Sequence, residues 1–89
     1  MYKRQAYYNR GNARSALGDK QGAIEDYDRA ISINPNYADA YNNRGVVRSD
    51  IGDKQGAIED FQKAANLYQR QGNQEDYQYA LDRIRKLQQ

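Results

Sequence analysis

Four arginines stand in two pairs, Arg10 with Arg14 and Arg44 with Arg48, and each pair is followed by two adjacent carboxylates, Glu25 and Asp26, then Glu59 and Asp60. A spacing of four residues on a helix puts both guanidinium groups along one side. Two chemistries fit this pattern. The arginines can bond the carboxylates of a neighbouring helix as charge-assisted internal pairs, or they can form a track for an external anion. Because the acids recur together with the arginines, as an internal pair requires, the expectation is a structural role; an arginine-to-methionine substitution should then change stability more than ligand affinity.

Catalysis finds little to work with. The chain has neither His nor Cys, which removes imidazole and thiolate metal sites, disulfides, the commonest general base and the cysteine nucleophile. Ser15, Ser32 and Ser49 have no visible base, and the carboxylates fall on solvated faces or opposite arginines. The segment Gly18-Asp19-Lys20-Gln21-Gly22 is glycine-rich, but it follows a helix and lacks the Gly-Lys-Ser/Thr ending of a phosphate loop. The expectation is therefore no enzyme, no metal and no cofactor.

Nucleic acid is disfavoured as well. Lys3, Arg4, Arg10, Arg14, Arg83, Arg85 and Lys86 come from opposite ends of the chain and are interleaved with acids, and 14 basic against 12 acidic residues give a net charge of only +2. No apolar run approaches the roughly 20 residues that cross a bilayer, and the N-terminus lacks the apolar stretch of a secretory signal. The expectation is no membrane partner and a cytoplasmic location. With 89 residues, of which 38% are apolar and nine are tyrosine, the chain has room for one domain with a small core of Ala, Ile, Leu and Tyr.

The elements that must position these side chains are set by an internal repeat. At an offset of 34, Gly18-Asp19-Lys20-Gln21-Gly22-Ala23-Ile24-Glu25-Asp26 recurs identically from Gly52 to Asp60, and Tyr7, Asn9, Arg10, Gly11, Arg14, Ser15 and Ala30 recur as Tyr41, Asn43, Arg44, Gly45, Arg48, Ser49 and Ala64. Apolar residues at helical spacing predict two helices per unit, over 6–17 and 22–33, then 38–51 and 56–71. Gly18 and Gly52 suit a left-handed residue after a helix, Asp19 and Asp53 suit the cap of the next one, and Asn34-Pro35-Asn36 closes the first unit. A last helix over 74–89 carries Tyr77, Ala80, Leu81, Ile84 and Leu87 on one side, as expected of a helix that covers the end of a stack. The expected organisation is an N-terminal extension 1–5, repeat units 6–37 and 38–71, and a capping helix 72–89.

The placement of Tyr7, Gly11, Ala23, Tyr27, Ala30 and Pro35, and of Tyr41, Gly45, Ala57, Phe61 and Ala64, resembles the tetratricopeptide repeat family, with arginines where that family usually has an apolar residue and an aromatic. The resemblance implies an all-α fold: tandem antiparallel helix-turn-helix hairpins in a short right-handed solenoid. It also implies a concave groove, lined by the first helix of each unit, where extended peptides or partner helices bind. By that register the groove shows Gln5, Tyr8, Asn9, Asn12, Ser15 and Ala16, then Asp39, Asn42, Asn43, Val46, Ser49 and Asp50. Asn12 and Asn43 align with asparagines that hold a peptide's terminal carboxylate in chaperone-binding relatives. Tyr8 stands where those relatives have lysine, and the cap replaces their third repeat, so the positive charge of a full clamp is missing; the asparagines can equally bond helix backbone or water. Tyr2, Tyr8, Tyr37, Tyr68 and Tyr79 are left unclaimed by the repeat packing.

The resulting expectation is a protein-interaction scaffold that takes a peptide or partner segment over Tyr8, Asn9, Asn12, Asn42, Asn43 and Val46. The competing expectation is a homo-oligomer, domain-swapped or stacked, because two units plus a cap fall short of the three repeats that usually make a stable stack.

Overall fold

Asp19 and Asp53 decide where the second helix of each hairpin starts. Their side chains accept from the backbone N–H of Gly22 and Gly56, each at 3.0 Å. An aspartate cap bonds the third residue of its helix, so the helices begin at Lys20 and Lys54, two residues before the start expected from the apolar pattern. A Cβ on Gly22 or Gly56 would run into that carboxylate, which is why the capping turn carries glycine there. Asp53→Ala is expected to remove about 1 kcal/mol, a fall of roughly 4–8 °C in melting temperature for a chain of this size; an unchanged melting curve would show that the cap is not formed.

The computed structural model describes residues 3–89, in the order α1 (Lys3–Ala16), α2 (Lys20–Ile33), α3 (Ala38–Asp50), α4 (Lys54–Arg70) and α5 (Gln74–Leu87), with no strand among the described residues. Residues 3–5, set apart in the sequence reading as an extension, continue α1 as helix; Met1 and Tyr2 lie outside the described residues. Gly18 and Gly52 take φ of 87° after α1 and α3. Asn34, placed before Pro35, is extended at φ −134° and ψ 93° and stops α2. The second unit has Gln69 at the proline's place, and α4 runs to 17 residues against 14 in α2.

The helices pack in sequence, α1 on α2, α2 on α3, α3 on α4 and α4 on α5. Within each hairpin an aromatic ring lies on a glycine: a Cβ on Gly11 would sit 2.8 Å from the Tyr27 ring, and one on Gly45 would sit 3.1 Å from the Phe61 ring. The buried interior forms two clusters. Ala23, Ile24, Tyr27 and Val47 join α2 to α3, with Tyr8 against them. Ala38, Ala64, Leu67 and Tyr68 join α3 to α4, with Tyr41 and Tyr77 packed on them.

The arginines are tied inside the hairpins. Arg10 Nε and Nη2 donate to the two oxygens of Asp26 at 2.9 and 2.8 Å, and Arg44 does the same to Asp60 at 3.0 and 2.7 Å. Arg14 stands 3.5 Å from Asp26, and Arg48 Nη1 donates to Asp60 at 2.9 Å. Asp26 and Asp60 are buried, whereas Glu25 and Glu59 face solvent. The hydrogen bond from Arg10 holds the Asp26 carboxyl below its usual range, against the opposing effect of its burial.

Candidate functional site

Tyr8 and Asn12 are one turn apart on α1, and Asn43 and Val46 one turn apart on α3, so each pair shares a helix face. The packing of α1 beside α3 brings the faces together. Asn43 Nδ2 donates both to Tyr8 Oη at 3.0 Å and to Asn12 Oδ1 at 2.9 Å. Tyr27 Oη, rising from the core, donates to the same Asn12 oxygen at 2.5 Å. Asn12, Asn43 and Val46 then line a depression of about 150 Å³ with Ser15, Tyr27 and Val47.

Two expected site residues stand to the side of this cluster. Asn9 is exposed, and its Oδ1 accepts from Gln5 Nε2 at 3.3 Å. Asn42 donates to Asn43 Oδ1 at 3.3 Å, while its own Oδ1 is buried without a hydrogen-bond partner.

The tyrosines divide differently from the sequence expectation. Tyr8 lies between two other rings, 4.9 Å from Tyr37 and 6.0 Å from Tyr27 between centroids. Tyr68 belongs to the core: it is buried, and its hydroxyl donates to Asp39 Oδ1 at 2.5 Å. Tyr79 is exposed on α5, where its hydroxyl accepts from Arg83 Nε at 3.0 Å. A second cavity, of about 300 Å³, opens at the N-terminal ends of α1, α3 and α5 and is lined in part by Gln5, Tyr37, Asp39, Tyr68 and Asp76. There Tyr37 Oη donates to Gln5 Oε1 at 3.3 Å.

Sequence reasoning assigned Tyr27 to packing alone and so missed its hydroxyl. A signal was present. In the first unit Tyr27 faces Asn12; 34 residues on, the same two places hold Phe61 and Val46. The hydroxyl and its acceptor appear together and disappear together, as a buried polar pair should.

Burial raises the phenol pKa values of Tyr8, Tyr37 and Tyr68, and that of Tyr27 to about 12. For Tyr68 the hydrogen bond to Asp39 adds to the effect of burial. A phenol whose folded pKa is raised contributes stability that is complete below the unfolded value near 10 and is lost as pH rises through the folded one. Stability is therefore expected to fall from about pH 10 upward, and a spectrophotometric titration should show Tyr27 ionising only at about pH 12 or with unfolding, and Tyr8, Tyr37 and Tyr68 ionising later than a free phenol. Titration of every tyrosine near pH 10 with the helices intact would contradict this burial.

Among the described residues no group of three His, Cys, Asp or Glu side chains is arranged to hold a metal ion, and no helix is long and apolar enough to cross a membrane.

Two tetratricopeptide repeat family profiles match, over residues 5–37 and 26–59. The first spans the α1–α2 hairpin, and the second bridges α2, α3 and the start of α4. The chain belongs to the tetratricopeptide repeat family.

Solved structures agree on the helical repeat fold. The crystal structure of a tetratricopeptide repeat domain protein from Salinibacter ruber aligns with a TM-score of 0.87 at 15% identity, covering 96% of each chain. The tetratricopeptide repeat domain of Sgt2 from Aspergillus fumigatus aligns at 0.73 with 27% identity, covering 93% of this chain and 57% of that one. MamA aligns at 0.70 with 27% identity, covering 97% and 58%. Comparison with curated proteins returns no match. Tetratricopeptide repeats generally serve as non-enzymatic scaffolds that bind proteins or peptides.

Proposed function

We propose that this tetratricopeptide repeat chain holds an extended peptide or partner segment across α1 and α3, over Tyr8, Asn12, Asn43 and Val46, with Asn9 and Asn42 at the flanks. The observation that carries this reading is the amide–phenol network. Asn12 Oδ1 takes donors from Tyr27 and Asn43, and Asn43 Nδ2 is shared between Asn12 and Tyr8. These bonds hold the side chains before a ligand arrives, and although the Asn12 amide also interacts with Tyr8, it has a second N–H that can be donated outward together with the Tyr8 hydroxyl hydrogen. Groups already held in place lose little further freedom on binding. Neutral donors of this kind suit the backbone carbonyls of an extended segment. A terminal carboxylate would call for a cation, and no lysine or arginine lines the depression.

The test uses the repeat's own alternative. Asn12→Val with Tyr27→Phe gives the first unit the side chains that the second has at Val46 and Phe61, so the hydrophobic packing is kept while the amide donor is lost. Short neutral peptides, each as free acid and as amide, are titrated into isotope-labelled protein. Both forms should perturb the Asn12 and Asn43 side-chain amides alike, and the double variant should bind about tenfold more weakly, as for one or two lost hydrogen bonds, with its helicity unchanged. A strong preference for the free acid, or perturbation elsewhere only, would overturn the proposal. Light scattering at the same concentrations should give a monomer; a stable dimer that covers α1 and α3 would favour self-association instead.

A further inference from the structure

The second unit shows what a packed first helix looks like, and the first unit lacks one part of it. On α3, Ala40 and Val47 are fully buried, and the Arg44 side chain is 15% exposed. Much of that cover comes from α2: Ile24 packs with Val47, and Asp28 Oδ1 accepts from Arg44 Nη1 at 2.7 Å. Thirty-four residues earlier, the corresponding places on α1 are Ala6 and Ala13, both exposed, and Arg10, whose side chain is 48% exposed. Leu17 continues this side of α1 at 86% exposure, where its counterpart Ile51 has 48%.

Arg10 uses its guanidinium as Arg44 does, with Nε and Nη2 on the aspartate of its own hairpin. Among the described residues no second carboxylate stands where Asp28 stands for Arg44. The face of Ala6, Arg10, Ala13 and Leu17 therefore has the small residues, the aliphatic end and the cation of the α2–α3 interface, with no helix among the described residues to complete it.

From this we infer that this face of α1 docks a helix of a partner protein that presents an aliphatic residue followed four residues later by a carboxylate. That is the pattern of Ile24 and Asp28 on α2. The carboxylate bonds Arg10 Nη1, and the aliphatic side chain lies over Ala13, where the short side chain leaves room. A second copy of the chain is a poorer match. Its α2 face is already covered by its own α3, with Asp28 held by Arg44, and the corresponding place on α4 carries Gln62 instead of an acid. The surface is separate from the groove residues and does not depend on what the groove binds.

The probe is a lactam-bridged helical peptide with the sequence of Lys20–Ile33, since an unbridged peptide of this length holds little helix in water, together with the same peptide carrying Asp28→Asn. Each is titrated into the full isotope-labelled chain. The expected result is perturbation of the backbone amides of Ala6, Arg10, Ala13 and Leu17, with affinity about tenfold lower for the Asn peptide, as for loss of a hydrogen bond to a charged group. Ala13→Glu on the protein, an exposed substitution that puts a carboxylate beside Arg10, should abolish binding without changing helicity. The inference is overturned by equal affinity of the two peptides, by perturbation confined to Tyr8, Asn12 and Asn43, or by no binding at millimolar peptide. Shifts of the α1 face that grow with protein concentration alone would also overturn it, in favour of a second copy.

Discussion

Asp60→Ala is expected to cost about 3–5 kcal/mol, as removal of one partner from a buried ion pair does, and Asp26→Ala roughly half as much. Asp60 receives two bonds from Arg44 and one from Arg48. Arg44 is the more demanding of the two arginines. Burial, the largest single effect on it, disfavours its charge, yet Asp60 and Asp28 together raise its pKa above the ordinary value. Without Asp60 it keeps only Asp28, whose side chain is half exposed. Arg10, by contrast, is open enough to turn into water once Asp26 is gone, which avoids most of the penalty of a stranded charge. Against a total stability of about 5–15 kcal/mol for a domain, the Asp60 variant should be marginally folded. Urea unfolding followed by circular dichroism at 222 nm measures both variants. Equal losses, or a loss under about 1 kcal/mol for Asp60→Ala, would show that the pairs are solvated and interchangeable.

Phe61→Ala should be of similar size, about 3–5 kcal/mol. The ring is buried and lies directly against Gly45, where a Cβ would be only 3.1 Å away. Glycine has no side chain to move into a vacated space, so the cavity stays open and the lost contacts are not recovered. The same geometry makes Gly45→Ala unfavourable with Phe61 present, since overpacking of this kind costs about 1–3 kcal/mol. The two sites should therefore couple: in a Phe61→Leu background, Gly45→Ala should cost less than in the parent chain, by more than the roughly 0.5 kcal/mol within which independent sites add. Strict additivity would mean that the ring does not rest on the glycine.

Much of this fold can be read from local pattern. The offset of 34 marks two equivalent units, and the apolar spacing within each finds the helices, because both signals depend on residues close in sequence. The aspartate caps and the two left-handed glycines follow from backbone chemistry in the same way. Even the polar contact from Tyr27 to Asn12 was written in the comparison of units, with Phe61 and Val46 as its apolar counterpart. The starts of α2 and α4 were misplaced by two residues because the apolar pattern begins after the cap, while the hydrogen bonding begins at it.

The tertiary structure decided what depends on rotation and on neighbours. Glu25 and Asp26 are adjacent and equally acidic, but one residue turns a helix by about 100°, and only the packing of α2 on α1 selects Asp26 for Arg10. The same choice falls on Asp60 over Glu59. Asn43 reaches Tyr8 and Asn12 across more than thirty residues, a contact that neither the helical spacing nor the 34-residue repeat specifies. Arg10 and Arg44 occupy the same place in the repeat, yet one is half exposed and the other largely buried. The sequence makes the two units nearly alike; the stack makes them different, because α3 packs against α2 and the described structure places no helix on the other side of α1.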